Sequence, residues 1–337
     1  MEAMKEKEKK NIMADMTDSS IKEIDSFVIK ESQYRPLGAS GIMVSPLGTG
    51  TNMWWQGKND EAVFRTFHSL MDAGVNFFDT AEAYSFGKSE RLLGACLQQD
   101  SRPVVVASKF APYPTSLFYS QFMHALDASL SRLSRNIIDL YYVWFPFGIL
   151  SVEKLMDMMA QAVSAGKIRA VGVSNFNAEQ MHRAAARLAH YGIPLAANEV
   201  RYNLFHRQPE WNGVLDACRK LNVALVAYRP LEGGRLMSNT ASEEKSGSSS
   251  STDGERKPAS REQAIQETLQ TIARQRQKSV SQVILNWLLH KDTHVIPIPG
   301  TTNARHVMEN AGALGWQLSD DEFDAIDQVS SPRKHST

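Results

Sequence analysis

The 337 residues carry 37 Lys plus Arg against 37 Asp plus Glu, so the chain has no formal net charge and no basic excess to draw nucleic acid or an anionic membrane surface. Apolar residues make up 42% of the sequence, enough for a substantial core, which excludes disorder of the whole chain. The two cysteines, Cys96 and Cys218, lie far apart and match no metal-ligand spacing, so they read as packing residues of a reduced protein. The start, MEAMKEKEKKNIMAD, is charged and lacks the apolar centre of a signal peptide, and its several acids without arginine fit a transit peptide poorly. No apolar run approaches the roughly 18 residues of a membrane span, and a cytoplasmic location is expected.

Along the chain, residues 1 to about 33 are polar and unperiodic and are expected to form a disordered arm. YRPLGASGIMVSP, with its Gly-Ala-Ser-Gly turn, predicts a short hairpin. Eight candidate strands follow: VSPLGTG ending at Gly50, VNFFDT at Thr80, VVVASKF at Phe110, IIDLYYVW at Trp144, AVGVSN at Asn175, PLAANEVRYN at Asn203, VALVAYRP at Pro230 and HVIPIPG at Gly300. They are near-continuous apolar runs, as parallel strands covered on both faces require. Between them lie amphipathic stretches such as FMHALDASLSRL and EKLMDMMAQAVSAG, apolar at three- and four-residue spacing. Eight such units of roughly 25 to 35 residues predict a (β/α)8 TIM barrel over residues 34–328. One break interrupts it. Residues 238–260 are Ser-rich, charged and nearly free of apolar side chains, and are expected to form a flexible insertion; residues 329–337 form a tail.

In such a barrel the chemistry sits at the C-terminal ends of the strands. There the sequence places Asp79 and Tyr84, from DTAEAY, and Lys109, from ASKF. A lysine at a barrel mouth needs a counter-charge, which Asp79 supplies from the next strand. An ammonium beside a phenol favours the phenolate, so Tyr84 is expected to have a lowered pKa and to deliver a proton near neutral pH. Taken singly, a capping Asp, a packed Tyr and a surface Lys are ordinary; it is their joint placement on neighbouring strand ends that points to catalysis.

The segments NFFDTAEAY, GKSERLLG, VVASKF, IDLYYVWFP, GKIRAVGVSNF, NEVRYN, VAYRPL and VIPIPGTTNARHVMENAGAL span the barrel in order, and the chain resembles the aldo-keto reductases from residue 34 to about 328. The resemblance implies a catalytic Asp79, Tyr84, Lys109 and position 144, with the pro-R hydride of NADPH passing to a carbonyl carbon while Tyr84 protonates the oxygen. It implies cofactor contacts from Gly50, Thr51 and Asn52 near the nicotinamide ribose, from Ser174, Asn175 and Glu199 at the carboxamide, and from Tyr228 stacked on the ring. Arg229 and Leu231 follow on the pyrophosphate path. Gly300, Thr301, Thr302 and Asn303 open the last helix unit, where free N–H groups and the helix dipole make a phosphate site on physical grounds alone. Arg305, His306, Glu309 and Asn310 lie on its first turns, where the family holds the adenosine end. NADPH is expected over NADH, although Gly300 sits where some relatives carry a lysine. By itself GTGTN, residues 48–52, lacks the third glycine and the immediate helix of a Rossmann fingerprint.

Three positions depart from the family pattern. DLYYVWFP puts Trp144 where the motif D-L-Y-x-x-H-W-P has its histidine; an indole has one N–H donor and no titratable group. Glu199 replaces a glutamine, and a carboxylate can accept from an amide NH2 but not donate to its oxygen. Arg229 replaces Ser or Thr, either as an anion clamp or as a solvated loop residue. Trp54, Trp55, Phe110, Tyr113, Trp144 and Phe147 are aromatics expected at the mouth, where they suit a small aromatic or apolar carbonyl substrate. Two other functions are compatible with these residues: a nucleotide-binding regulatory subunit similar to the potassium-channel β subunits, which also lack the histidine, and a class I aldolase using Lys109 as a Schiff base.

Overall fold

The computed structural model describes residues 27–54, 60–112, 118–146, 149–237 and 260–331. A two-stranded antiparallel hairpin, β1 (Arg35–Pro36) and β2 (Met43–Val44), precedes the barrel. Eight strands then follow: β3 (Thr49–Gly50), β4 (Phe77–Asp79), β5 (Val105–Phe110), β6 (Ile138–Val143), β7 (Ile168–Ser174), β8 (Leu195–Arg201), β9 (Ala224–Tyr228) and β10 (Val295–Ile298). They pair in sequential order and all in parallel. The two ends of the ladder meet where Gly48 N–H donates to the Pro297 carbonyl at 3.0 Å and Thr49 Oγ1 to Pro299 at 3.2 Å. Gly48 makes that closure possible: a Cβ there would lie 2.6 Å from the Phe77 ring and 2.9 Å from the Ile298 side chain.

Helices alternate with the strands: α1 (Asp60–Asp72), α2 (Lys88–Gln99), α3 (Tyr119–Leu133), α4 (Val152–Ser164), α5 (Ala178–Ala189), α6 (Val214–Leu221), α7 (Arg261–Arg276) and α8 (Val280–Lys291) before β10, then α9 (Ala304–Ala311) and α10 (Asp320–Ser330). Side-chain caps begin several of them. Asn177, Ser260, Ser279 and Ser319 each accept from the backbone N–H three residues on, and Gln180, Gln263, Gln282 and Glu322 reach back to complete capping boxes. No helix among the described residues is long and apolar enough to cross a membrane.

Strand periodicity separates two cores. Phe78, Val106, Tyr141, Val143, Val171 and Leu225 face outward and pack with the helices, while Phe77, Val105, Ala107, Leu140, Tyr142, Ala197, Val226 and Ile296 fill the barrel. Leu37, Ile42 and Val44 of the hairpin join the inner cluster. The hairpin approaches so closely that only glycine fits at Gly38: its φ is +55° and a Cβ would lie 2.3 Å from the Ala196 carbonyl oxygen.

The expected arm over residues 1–33 overreaches. Ile29 is buried, its N–H donates to the Ala73 carbonyl at 2.9 Å just after α1, and Phe27 packs on the outer core against Gly315, contacts that the polar sequence around these two apolar residues conceals. At the other end α10 continues through Ser330, whose hydroxyl is enclosed, so the expected tail from 329 begins too early. Ser260, placed with the insertion, is instead the N-cap of α7. Residues 238–259 lie outside the described residues, as do 1–26.

Candidate active site

Because side chains alternate across a strand, the inward parity of Phe77 carries Asp79 to the barrel mouth, that of Val105 and Ala107 carries Lys109, and that of Ala197 carries Glu199. Register completes the assembly: Asp79 lies beside Ala107, Lys109 beside Tyr142, and Ser174 beside Glu199. Lys109 is fully enclosed, and its ammonium donates to Asp79 Oδ1 and, at 3.0 Å, to the Thr80 carbonyl. Glu199 Oε2 stands 3.1 Å from the same nitrogen. The ammonium also lies 5.2 Å from the Tyr84 ring centroid and 5.5 Å from that of Tyr142.

Two enclosed carboxylates therefore share one ammonium, and the titrations follow from that. Burial alone would pull the Lys109 pKa down, but Asp79 and then Glu199 outweigh it and hold the ammonium above the ordinary lysine value. Burial raises Asp79, against the opposing pull of Lys109. Burial and then repulsion from Asp79 push Glu199 up to about 8, against the same lysine. The expected lowering of the Tyr84 pKa does not occur. Burial of the phenol raises it well above the ordinary tyrosine value; Lys109 only partly offsets this, and Glu199 and Asp79 reinforce it. Proximity was read correctly, but desolvation is the larger effect.

Trp144 follows β6 and donates its backbone N–H to the Phe110 carbonyl at 3.0 Å. Its indole meets Tyr84 edge-on, with ring centroids 5.7 Å apart and planes at 89°, and stacks on Phe145 at 5.4 Å and 22°. The residue that departs from the motif thus touches the tyrosine directly.

The remaining predicted residues form an arc over β7 to β10. Ser174 Oγ donates to the Glu199 carbonyl at 3.0 Å, and Asn175 N–H to the same oxygen at 2.9 Å. Asn175, held at φ +62°, donates its side-chain amide to the Trp144 carbonyl (3.3 Å) and Ser174 Oγ (3.0 Å) and accepts from the Tyr228 hydroxyl at 3.1 Å. Arg229 is exposed at φ +51°, with Leu231 partly buried beyond it. Thr301 Oγ1 accepts from Asn303 N–H at 3.0 Å, and Asn303 caps α9 by accepting from Arg305 N–H at 2.9 Å. Gly300, Asn303, Arg305 and His306 are exposed, Thr302 half-buried and Asn310 buried. The Glu309 carboxylate accepts from Ser281 Oγ on α8.

Several expectations are corrected. Thr51 is wholly buried, its N–H and hydroxyl both donating to the Asp79 carbonyl, so it anchors the loop while Gly50 and Asn52 reach the surface. Trp54 is 1% exposed; its indole N–H donates to the Thr301 carbonyl at 3.0 Å and its ring packs against Phe78, so it ties the first loop to the last rather than standing open at the mouth. Phe110 is likewise 1% exposed, because an inward Lys109 forces the next residue outward onto Phe122 at 5.0 Å. Trp55, Tyr113 and Phe147 lie outside the described residues.

Sequence reasoning passed over Ser89, whose hydroxyl accepts from Thr80 Oγ1 (2.9 Å), donates to the Thr51 carbonyl (3.0 Å) and lies 2.7 Å from Thr51 Oγ1. It also passed over Glu90, enclosed between Ser108 Oγ and Arg132. Both belong to GKSERLLG, and they pin the DTAEAY loop to β5 and α3. Glu232 was missed as well; it pairs with Arg201 and accepts from Asn203 at 2.7 Å, fixing the turn after β9. Alternation back along β6 from the site position 144 was the available signal for Tyr142, whose ring faces the Lys109 ammonium.

The aldo/keto reductase family profile matches residues 46–331. The chain is 34% identical over 306 residues to the chloroplastic pyridoxal reductase of Arabidopsis thaliana, covering 83% of this chain and 82% of that one. It is 32% identical to the aldo-keto reductase yakc [NADP(+)] of Schizosaccharomyces pombe, over 80% and 83% of the two chains. Among solved structures, an aldo/keto reductase from Klebsiella pneumoniae in complex with NADP and acetate superimposes with a TM-score of 0.71 at 26% identity, over 90% of this chain and 97% of that one. The chain belongs to the aldo/keto reductase family.

Proposed function

We propose that this chain reduces aldehydes or ketones to alcohols with NADPH, Tyr84 serving as proton donor. The observation that carries the reading is the convergence of Tyr84, Lys109 and Asp79 at one barrel mouth, bordered by Ser174, Asn175 and Tyr228. The donor set fits a nicotinamide. Glu199 Oε2 is a buried acceptor whose one neighbouring donor is the Lys109 ammonium it shares with Asp79, so a carboxamide NH2 would add a bond there, and the Asn175 side chain is held in place on three sides. When bound, NADPH supplies the hydride.

The protein's own groups do the rest. Tyr84 delivers its proton to the substrate oxygen as negative charge develops there, and its raised pKa makes the phenol an acid that stays protonated until that charge appears. Lys109, kept cationic by its two carboxylates, stabilises the tyrosinate left behind. Trp144 and Phe145 form an apolar wall that excludes water and favours a flat, aromatic carbonyl compound. The pyridoxal reductase among the relatives is in keeping with that class. Lys109 makes a poor Schiff-base nucleophile, since that chemistry needs the neutral amine.

A carbonyl panel assayed with NADPH and with NADH tests the reading. Turnover of aromatic aldehydes that is lost in Tyr84→Phe supports it, whereas a Tyr84→Phe variant with most of its activity intact would sink the tyrosine mechanism. Trp144 edge-on to Tyr84 favours one second reading, a slow nucleotide-binding regulatory subunit. Nucleotide retained through purification, with no turnover across the panel, is its signature.

A further inference from the structure

The cluster at the barrel mouth holds an odd number of charges. Asp79 and Glu199 are both enclosed, and among the described residues Lys109 is the one cation within ion-pair distance of either. The groups facing Glu199 from the other elements cannot balance it: Asp79 from β4 is a second acid, and Tyr84, Tyr142 and Tyr228, from the β4 loop, β6 and β9, are neutral phenols. Arg201, the next cation along β8, pairs with Glu232. An unbalanced buried carboxylate has two ways to become neutral, a proton or a cation. Its backbone carbonyl is held by Ser174 and Asn175 and its carboxylate by the Lys109 ammonium, so Glu199 stands between the residues assigned to the nicotinamide and the catalytic lysine.

We infer that Glu199 reads the oxidation state of the cofactor, standing as a carboxylate against the cationic nicotinamide of NADP+ and as a carboxylic acid against the neutral ring of NADPH. The inference rests on the nicotinamide site proposed above. A glutamine at 199 hydrogen-bonds a carboxamide equally in both states, whereas Glu199 discriminates between them by charge. Binding NADP+ to the protonated protein then breaks the Glu199 O–H bond and releases one proton to solvent; binding NADPH releases none. The burial that pushes Glu199 up to about 8 places this exchange at accessible pH.

Isothermal titration of the full chain with NADP+ and with NADPH, in two buffers of different ionisation enthalpy, counts the protons directly. Taking the ratio of the two affinities cancels the titration of the 2′-phosphate, which both nucleotides share. The expected result is release of about one proton more per NADP+ than per NADPH near pH 6.5, and a preference for NADP+ that rises by up to about tenfold per pH unit between about pH 6 and about pH 8. In Glu199→Gln, close to wild type in shape and without the surplus charge, the excess proton release for NADP+ and the slope of the ratio both vanish. A wild-type ratio flat with pH, or a Glu199→Gln protein that keeps the wild-type slope, overturns the inference while leaving the cofactor site standing. Failure of either nucleotide to bind removes the site itself, and this inference with it. The wild-type measurements decide the matter even if the variant does not fold.

Discussion

Two clusters in this protein bury cations among carboxylates, and they are built on opposite plans. On the outside of the barrel, Arg207 makes a bidentate pair with Glu210 and further bonds to Asp327 and Ser330, while Lys291 bridges Asp327 and Glu210. Trp287 and Tyr202 donate to the same two carboxylates. Two cations meet two acids and nearly every lone pair is used, which is how a buried ion network holds one conformation. At the mouth, one cation meets two acids; Asp79 Oδ2 and the Tyr142 hydroxyl have no hydrogen-bond partner among the described residues, and Glu199 Oε2 has only the Lys109 ammonium at 3.1 Å. Satisfaction marks a structural network. A surplus of charge, with polar atoms left over, marks a site that waits for a ligand.

The comparison breaks most sharply on Tyr84. Tyr84→Phe should lower kcat by roughly 10²–10⁴ while leaving the folded state and NADPH affinity intact, since it removes a proton donor and almost no volume. Steady-state kinetics with a nucleotide titration check both halves.

The outer network should behave in reverse. Arg207→Met leaves Glu210 and Asp327 short of a buried partner and should cost about 3–5 kcal/mol in guanidinium unfolding, with NADPH affinity unchanged below the melting transition. A loss of affinity in folded Arg207→Met would erase the distinction between the two clusters.

Trp144 sharpens the mouth's side of the comparison. Trp144→His should raise turnover on small aldehydes by about 10–10² if an oriented donor is all that the histidine pattern lacks here. Slower turnover on a particular substrate would show a site rebuilt around the indole, and wild type and variant equally inert across the panel would favour the regulatory reading.

The last effects are in pH dependence, where the change per pH unit is small, and the two clusters should have opposite signs. Glu199 has a raised native pKa, so between the ordinary glutamate value and about 8 the folded chain binds more protons than the unfolded one; stability falls as pH rises through that window, by at most about 1.4 kcal/mol per unit. Asp327 is the opposite case. Burial alone would raise it, but Lys291, Arg207 and Trp287 outweigh that and hold it below the ordinary aspartate value, so its stabilisation is present at neutral pH and is lost as pH falls through the native pKa. Unfolding midpoints measured against pH for wild type, Glu199→Gln and Asp327→Asn separate the two contributions.

Much of the fold could be read before the structure. The eight strands, the hairpin and the positions of Asp79, Tyr84 and Lys109 follow from apolar runs and turn residues, which are local and periodic. Phe110 and Trp54 were misplaced for different reasons. Both lie near strand ends and both are aromatic, but Phe110 stands one residue beyond an inward lysine, and parity alone sends it outward. Trp54 depends on a partner 247 residues away, the Thr301 carbonyl, which no local pattern announces. Ile29 escaped notice because a single apolar residue in a polar stretch carries no period.

The barrel, the family and the inward placement of Asp79 and Lys109 could be read from the chain alone, because side-chain alternation and helix spacing are properties of short stretches. Only the tertiary structure decided the balance of charge. Asp79, Lys109 and Glu199 come from strands up to 120 residues apart, and whether Tyr84 is made more acidic or less depends on how completely the mouth is enclosed. Burial and Coulomb attraction act here with opposite sign on the same phenol, and their relative size is set by packing from the whole barrel, which no segment of the chain contains.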